Sequence, residues 1–128
     1  MEDRFHINPD DPTPIYAQLE RAIRFAIATD KLRVGEQLPT VRQLAVELKI
    51  NANTVAKVYT ELERAGILET RRGVGTFVCE RQQPETMRAL KSDRQRELRA
   101  LTDRILADAY ALGFSLDEVI ESLASKRN

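Results

Sequence analysis

Apolar residues recur along the chain at helical spacing in several separate stretches, interrupted once by a stretch rich in β-branched and aromatic residues. Ile15, Leu19, Ala22, Ile23, Ala26 and Ile27 mark one face of a first helix, with Thr13 as its N-cap and Pro14 at the first helical position, running to about Ala28 or Thr29. The segment DKLRVGEQLP then reads as a loop, turned by Gly35 and ended by Pro39. Val41, Leu44, Ala45 and Leu48 stand at i, i+3, i+4 and i+7, behind Thr40 as N-cap and Gln43 in the capping-box position. A third helix repeats that register with Val55, Val58, Tyr59 and Leu62; Asn51 is its cap, and Gly66 closes it where a left-handed residue is needed. Two short helices of equal register with a tight joint from Leu48 to Asn51 are what a helix-turn-helix requires, because each buries one stripe against the same first helix.

The pattern then changes period. In ILETRRGVGTFVC, Ile67 to Arg71 and Thr76 to Cys79 are β-branched or aromatic enough for strands, and the R-G-V-G between them can turn with positive φ. A hairpin in that place is a wing. Beyond it, Met87, Leu90, Arg94, Leu98, Leu101, Ile105, Ala109 and Leu112 follow steps of three and four residues, the apolar run broken only by Arg94, over a helix from about Glu85 to Ala111. Gly113 ends that helix, and Ser115 with Glu118 caps a last one whose apolar side is Leu116, Val119, Ile120 and Leu123. The expected fold is mostly α with a small β-hairpin: a winged helix-turn-helix domain over residues 1–79, then a two-helix dimerisation tail over residues 80–128.

Composition narrows the function classes. The 128 residues suit one compact domain of ordinary size, or a smaller one with an appendage. Hydrophobic residues at 42% and charged residues at 31% allow a core in a water-soluble chain. No run of about 18 apolar residues offers a membrane span, and the start, MEDRFHINPDDP, lacks the basic-then-apolar order of a secretory signal, so a cytoplasmic protein is expected. His6 and Cys79 are the sole residues of their kinds, which gives no support to a metal site, a disulfide or a nucleophile-and-base pair. No glycine-rich phosphate loop is present either, so no catalytic residue, cofactor or metal is expected.

Net charge is zero, but its distribution is uneven. Residues 1–37 carry five Lys/Arg against seven Asp/Glu, residues 38–79 carry six against four, and residues 80–128 carry nine of each. The one positive third holds the helix-turn-helix and the hairpin.

The third helix opens with Asn51, Ala52, Asn53 and Thr54, short side chains that favour a helix little beyond the cap itself. The N-terminal end of a recognition helix in the major groove needs residues short enough to admit the helix and polar enough to touch base edges. A carboxamide at Asn53 can bond both N6 and N7 of adenine; local capping is its other reading, although Asn51 suits the cap better. Ala52 and Ala56 leave space for thymine methyls or the sugar edge. Thr54 and Lys57 would touch a phosphate or a base, and the helix start at Thr40 offers free backbone N–H groups to a phosphate. Arg71 and Arg72 beside Gly73 could lie along the minor groove or the backbone, or simply keep the hairpin soluble.

P-I-Y-A-Q-L (Pro14 to Leu19), G-E-Q-L-P-T-V-R-Q-L-A (Gly35 to Ala45), N-A-N-T-V-A-K-V-Y-T-E-L (Asn51 to Leu62) and G-I-L-E-T-R-R-G-V-G-T-F-V (Gly66 to Val78) resemble the winged-helix DNA-binding domain of the GntR family of bacterial transcription regulators, and the short two-helix tail resembles its YtrA-like subfamily. The resemblance implies that Ala52, Asn53, Thr54 and Ala56 face DNA and that Arg42, in the L-P-x-x-R segment, contacts DNA at the entrance of the second helix. Lys49 departs from the general helix-turn-helix pattern, which commonly has glycine in the turn.

One such module makes few phosphate contacts, whereas two on a two-fold axis would read a palindromic operator. The apolar stripe of the tail is too long for one short partner helix, so a homodimer through residues 80–128 is expected; the alternative folds the long helix back on its own winged domain. The expected function is a sequence-specific DNA-binding transcription regulator, a dimeric repressor reading double-stranded DNA through the helix at 51–65 and the wing at 67–79. The competing reading is a winged-helix protein–protein interaction module, which would need large apolar anchors on the third helix. That face is instead Asn53, Ala56, Lys57, Thr60 and Arg64. The tail is too short for a separate effector domain, so a small-molecule effector would sit between dimer helices or against the winged domain; its identity is not legible.

Overall fold

The computed structural model describes residues 5–127; Met1 to Arg4 of the acidic start, and Asn128, lie outside the described residues. The elements in chain order are α1 (Ile15–Ala28), α2 (Val41–Leu48), α3 (Ala52–Arg64), β1 (Leu68–Arg71), β2 (Gly75–Val78), α4 (Pro84–Ala111) and α5 (Leu116–Ala124). The architecture is mostly helical with a two-stranded antiparallel hairpin, as the periodicity predicts. The chain divides into two compact units, Met1–Lys91 and Ser92–Asn128.

In the first unit the apolar stripes converge as their spacing requires. Leu19, Ile23 and Ile27 of α1, Leu44 of α2, and Val55, Val58 and Leu62 of α3 are fully buried in one cluster, each contributing about 1.5–3 kcal/mol by leaving water. Helix α1 starts one residue later than the Thr-Pro motif predicts. Pro14, with ψ at 145°, is extended and serves as the N-cap, so Thr13 is not the cap. The Thr13 carbonyl instead accepts a 2.9 Å hydrogen bond from Nε2 of Gln18, a buried amide whose Oε1 accepts from the Asn8 N–H at 2.8 Å and whose Nε2 also reaches the Asn8 carbonyl at 3.0 Å. That buried polar group is satisfied by backbone, as burial demands, and it ties down the arm that places Phe5 in the core.

The joint between α2 and α3 turns at Lys49, which takes the left-handed conformation at φ 58° where glycine is the usual occupant. Gly66 ends α3 at φ 79°. In the hairpin, Leu68 pairs with Val78 and Arg71 with Gly75. The segment read as a plain loop does more than connect: Leu38 N–H donates to the Thr76 carbonyl at 2.8 Å, Gly35 N–H to Val78 at 2.9 Å, Val78 N–H to Glu36 at 2.8 Å, and Gln37 bridges Phe77. It lies along the free edge of β2, joined to it by these hydrogen bonds and the one bridge pair. The first turns of α4 also belong to this unit, because Leu90 is buried in its core and Met87 packs against it. The long apolar stripe of the tail is thereby divided, its first two residues being used within the winged unit.

In the second unit the turn after α4 is closed by Gly113 N–H on Tyr110 at 3.0 Å and Phe114 N–H on Ala109 at 2.9 Å. Ser115 and Glu118 form the predicted capping box, at 3.2 and 3.1 Å. Leu98, Leu101, Ile105, Leu116, Ile120 and Leu123 are exposed, Ile120 by 53%.

Candidate nucleic-acid interface

The cap of α3 decides what its first turn presents. Oδ1 of Asn51 accepts the Asn53 N–H at 2.7 Å, so Asn51 is the cap and the Asn53 side chain is not used for it. Helical spacing then sorts the rest: Val55, Val58, Tyr59 and Leu62 face the core, Thr54 is half-buried, and Ala52, Asn53, Ala56, Lys57, Thr60 and Arg64 are exposed. Lys57 Nζ stands 4.7 Å from the centroid of the Tyr16 ring, an aromatic seat that α1 supplies. Sequence reasoning missed Tyr16; its signal was an aromatic residue out of step with the apolar face of α1. Arg64 pairs with Glu61 at 3.1 Å.

At the start of α2, Thr40 Oγ1 accepts the Gln43 N–H at 3.1 Å while Gln43 Oε1 accepts the Thr40 N–H at 2.9 Å. This capping box satisfies the Thr40 amide, so the backbone donors left at that end are those of Val41 and Arg42. The Arg42 side chain is exposed. Neither α2 nor α3 carries an acidic residue in its first turn, so the positive ends of both helices are uncompensated by carboxylates of their own.

The two wing arginines have different surroundings. Arg71 Nη2 donates to Glu69 Oε1 at 2.9 Å and to Glu80 Oε1 at 3.3 Å, and its guanidinium lies 4.1 Å from the Phe77 ring centroid. The hydrogen bond to Glu69, with a further one to Glu80, holds the already high Arg71 pKa higher still. Arg72 has no hydrogen bond or ion pair among the described residues. Beside it Gly73 takes φ 75° with open space where a Cβ would be, so backbone can approach a neighbouring surface closely there. Val74 N–H closes the turn on the Arg71 carbonyl at 2.9 Å, and Gln37 Nε2 holds the Val74 carbonyl at 3.0 Å.

Among the described residues no group of three or more His, Cys, Asp or Glu could hold a metal, and no helix is long and apolar enough to cross a membrane. The surface assembled from α2, α3 and the wing offers hydrogen-bond donors, an amide and unpaired cations, the chemistry of an anionic polymer with readable polar edges.

Known proteins share this fold. Residues 15–78 match the family described as bacterial regulatory proteins, gntR family. The HTH-type transcriptional repressor YtrA of Bacillus subtilis is 35% identical over 115 residues, covering 90% of this chain and 85% of its own. A GntR family transcriptional regulator from Listeria monocytogenes superposes with a TM-score of 0.61 at 30% identity, over 92% of this chain and 99% of the other. The AraR DNA-binding domain, solved in complex with operator ORX1, is 25% identical with a TM-score of 0.54, over 61% of this chain and 100% of that domain. The family match spans the helix-turn-helix and the wing, and the YtrA relative aligns over 85% of its own length, so the chain belongs to the GntR family of bacterial transcription regulators, as a YtrA-like member.

Proposed function

We propose that this regulator is a homodimeric repressor in the cytoplasm that binds a palindromic operator, each chain inserting the start of α3 into the major groove. The observation that carries the reading is the division of labour at that start: Asn51 makes the cap, and the Asn53 amide is left exposed beside Ala56 and Lys57. Asn53 then bonds an adenine edge, Ala52 and Ala56 admit the helix, and Thr54 and Lys57 meet the backbone or a base. Arg42, with the free N–H groups at the start of α2 that follows Thr40, holds a phosphate, and the wing lies along the minor groove at Arg72 and Gly73. Arg71, tied to two carboxylates, supports the wing.

Pairing is supported by the exposed apolar residues of α4 and α5, which give a second copy something to bury, and repression by the function that the YtrA relative's name states. Half-sites would then lie about 34–36 Å apart, one turn of the duplex, or a multiple of it. A protein-docking role for α3 is disfavoured, since its exposed face offers no large apolar anchor. Any small-molecule effector would act on the dimer helices or the winged unit.

The test is titration of the pure protein against its own promoter and a scrambled duplex at several salt concentrations, with Asn53→Ala beside it. Wild type should prefer the promoter, and Asn53→Ala should lose about 1–3 kcal/mol of that preference. Equal affinity of wild type for both duplexes would sink operator recognition.

A further inference from the structure

The surroundings of Arg71 carry an inference that rests on the DNA-binding reading and deepens it. Glu69 and Arg71 stand two apart on β1 and so share one face of the strand, and Phe77 is the cross-strand partner of Glu69 in the register. The guanidinium is thus seated over an aromatic ring with one carboxylate beside it on the same strand. The second carboxylate, Glu80, arrives from beyond β2. Its place is provided by the bare Cα of Gly35, where a Cβ would stand 3.2 Å from the Oε1 that Arg71 contacts.

Both bonds leave from Nη2, so a phosphate approaching the remaining N–H groups of Arg71 would meet a guanidinium whose charge is already balanced by two adjacent carboxylates, which repel it. Arg72, next in sequence, has neither obstacle. We infer that Glu69 and Glu80 are internal counter-ions that withhold Arg71 from the DNA backbone, so that the wing delivers one cation, Arg72, and sequence-independent binding is kept weak. The carboxylates thereby set how strongly the protein holds any duplex, without touching DNA themselves. Affinity for any duplex grows with each phosphate neutralised, whereas base readout does not depend on that number, so withholding a cation weakens operator and bulk DNA alike and leaves discrimination to the base contacts.

Salt dependence counts the cations. For the intact protein on a scrambled duplex, the logarithm of the binding constant falls with the logarithm of salt concentration by about 0.9 per phosphate neutralised. Arg72→Gln should lower that slope by about 0.9 per chain, and Arg71→Gln should leave it unchanged. Glu69→Gln with Glu80→Gln should raise it by about 0.9 per chain and tighten the scrambled duplex and the operator alike, and adding Arg71→Gln to that pair should cancel the rise in slope. The inference is overturned if Arg71→Gln lowers the slope as Arg72→Gln does, if Arg72→Gln does not lower it, if the paired carboxamide variant keeps the wild-type slope, or if its rise survives loss of Arg71. A wild-type protein with no salt-dependent duplex binding would overturn the DNA-binding reading as well, which separates the two failures. All four side chains are on the surface, and circular dichroism of each variant confirms that the comparison is between folded proteins.

Discussion

The Tyr59 hydroxyl donates a 2.7 Å hydrogen bond to the Pro39 carbonyl, 20 residues earlier, and so fastens α3 to the entrance of α2. Burial, and secondarily the charge of Glu47, push the Tyr59 pKa well above the ordinary tyrosine value. Tyr59→Phe keeps the ring in the core but leaves the carbonyl without that partner, and should cost about 1 kcal/mol in urea unfolding near neutral pH. The sign of the pH dependence follows from the raised pKa. Below about pH 10 both folded and unfolded states keep the proton; above it the unfolded state ionises first, so stability falls as pH rises toward the folded value. The gap between wild type and Tyr59→Phe should therefore narrow above about pH 10, and a gap that widens there would contradict the assignment.

The two asparagines at the start of α3 should separate stability from recognition. Asn51→Ala removes the cap and is expected to cost about 1 kcal/mol of unfolding free energy. Asn53→Ala, at an exposed position outside the cap, should change stability by less than about 0.5 kcal/mol while flattening sequence preference. Denaturation and duplex titration of the same pair check both halves.

Lys49 sits at φ 58°, where a side chain is disfavoured, so Lys49→Gly should stabilise the protein. The conformational relief of about 1–2 kcal/mol is partly offset by the greater freedom of glycine in the unfolded chain, leaving a gain of up to about 1 kcal/mol. A shifted urea midpoint at unchanged slope would verify it.

Charges on the exposed apolar face of α4 should break pairing. Leu101→Glu together with Ile105→Glu is expected to shift the protein to monomer in sedimentation at micromolar concentration and to weaken operator binding at least tenfold. Both residues are exposed within the single chain, so the folded winged unit should be retained. A variant that still pairs like the wild type would place the dimer contact elsewhere.

Much of this molecule was legible in its sequence because the signals were local. Thr40 with Gln43 and Ser115 with Glu118 announced capping boxes that formed as read, and Val55, Val58, Tyr59 and Leu62 named their face by spacing alone. Contacts distant in sequence were not legible. Nothing near Leu90 says that it is buried with the core helices, although 23 residues separate it from Ile67 of the same cluster. Nor does the R-R pair at Arg71 and Arg72 reveal that Glu80, nine positions on, engages only the first. The late start of α1 is a nearer matter: Gln18, five positions on, bonds the Thr13 carbonyl with a buried side chain, a use of that glutamine that helical spacing does not signal.

The strand-like segment from Gly35 to Leu38 has an engineering consequence. Because it is stitched to β2, and because the space for a Cβ at Gly75 is occupied by Gln37 Nε2 at 2.5 Å, the hairpin is cut to fit the stretch that precedes α2. Chimaeras that borrow a wing from a relative must therefore transplant both pieces together, or inherit a tip whose backing no longer matches.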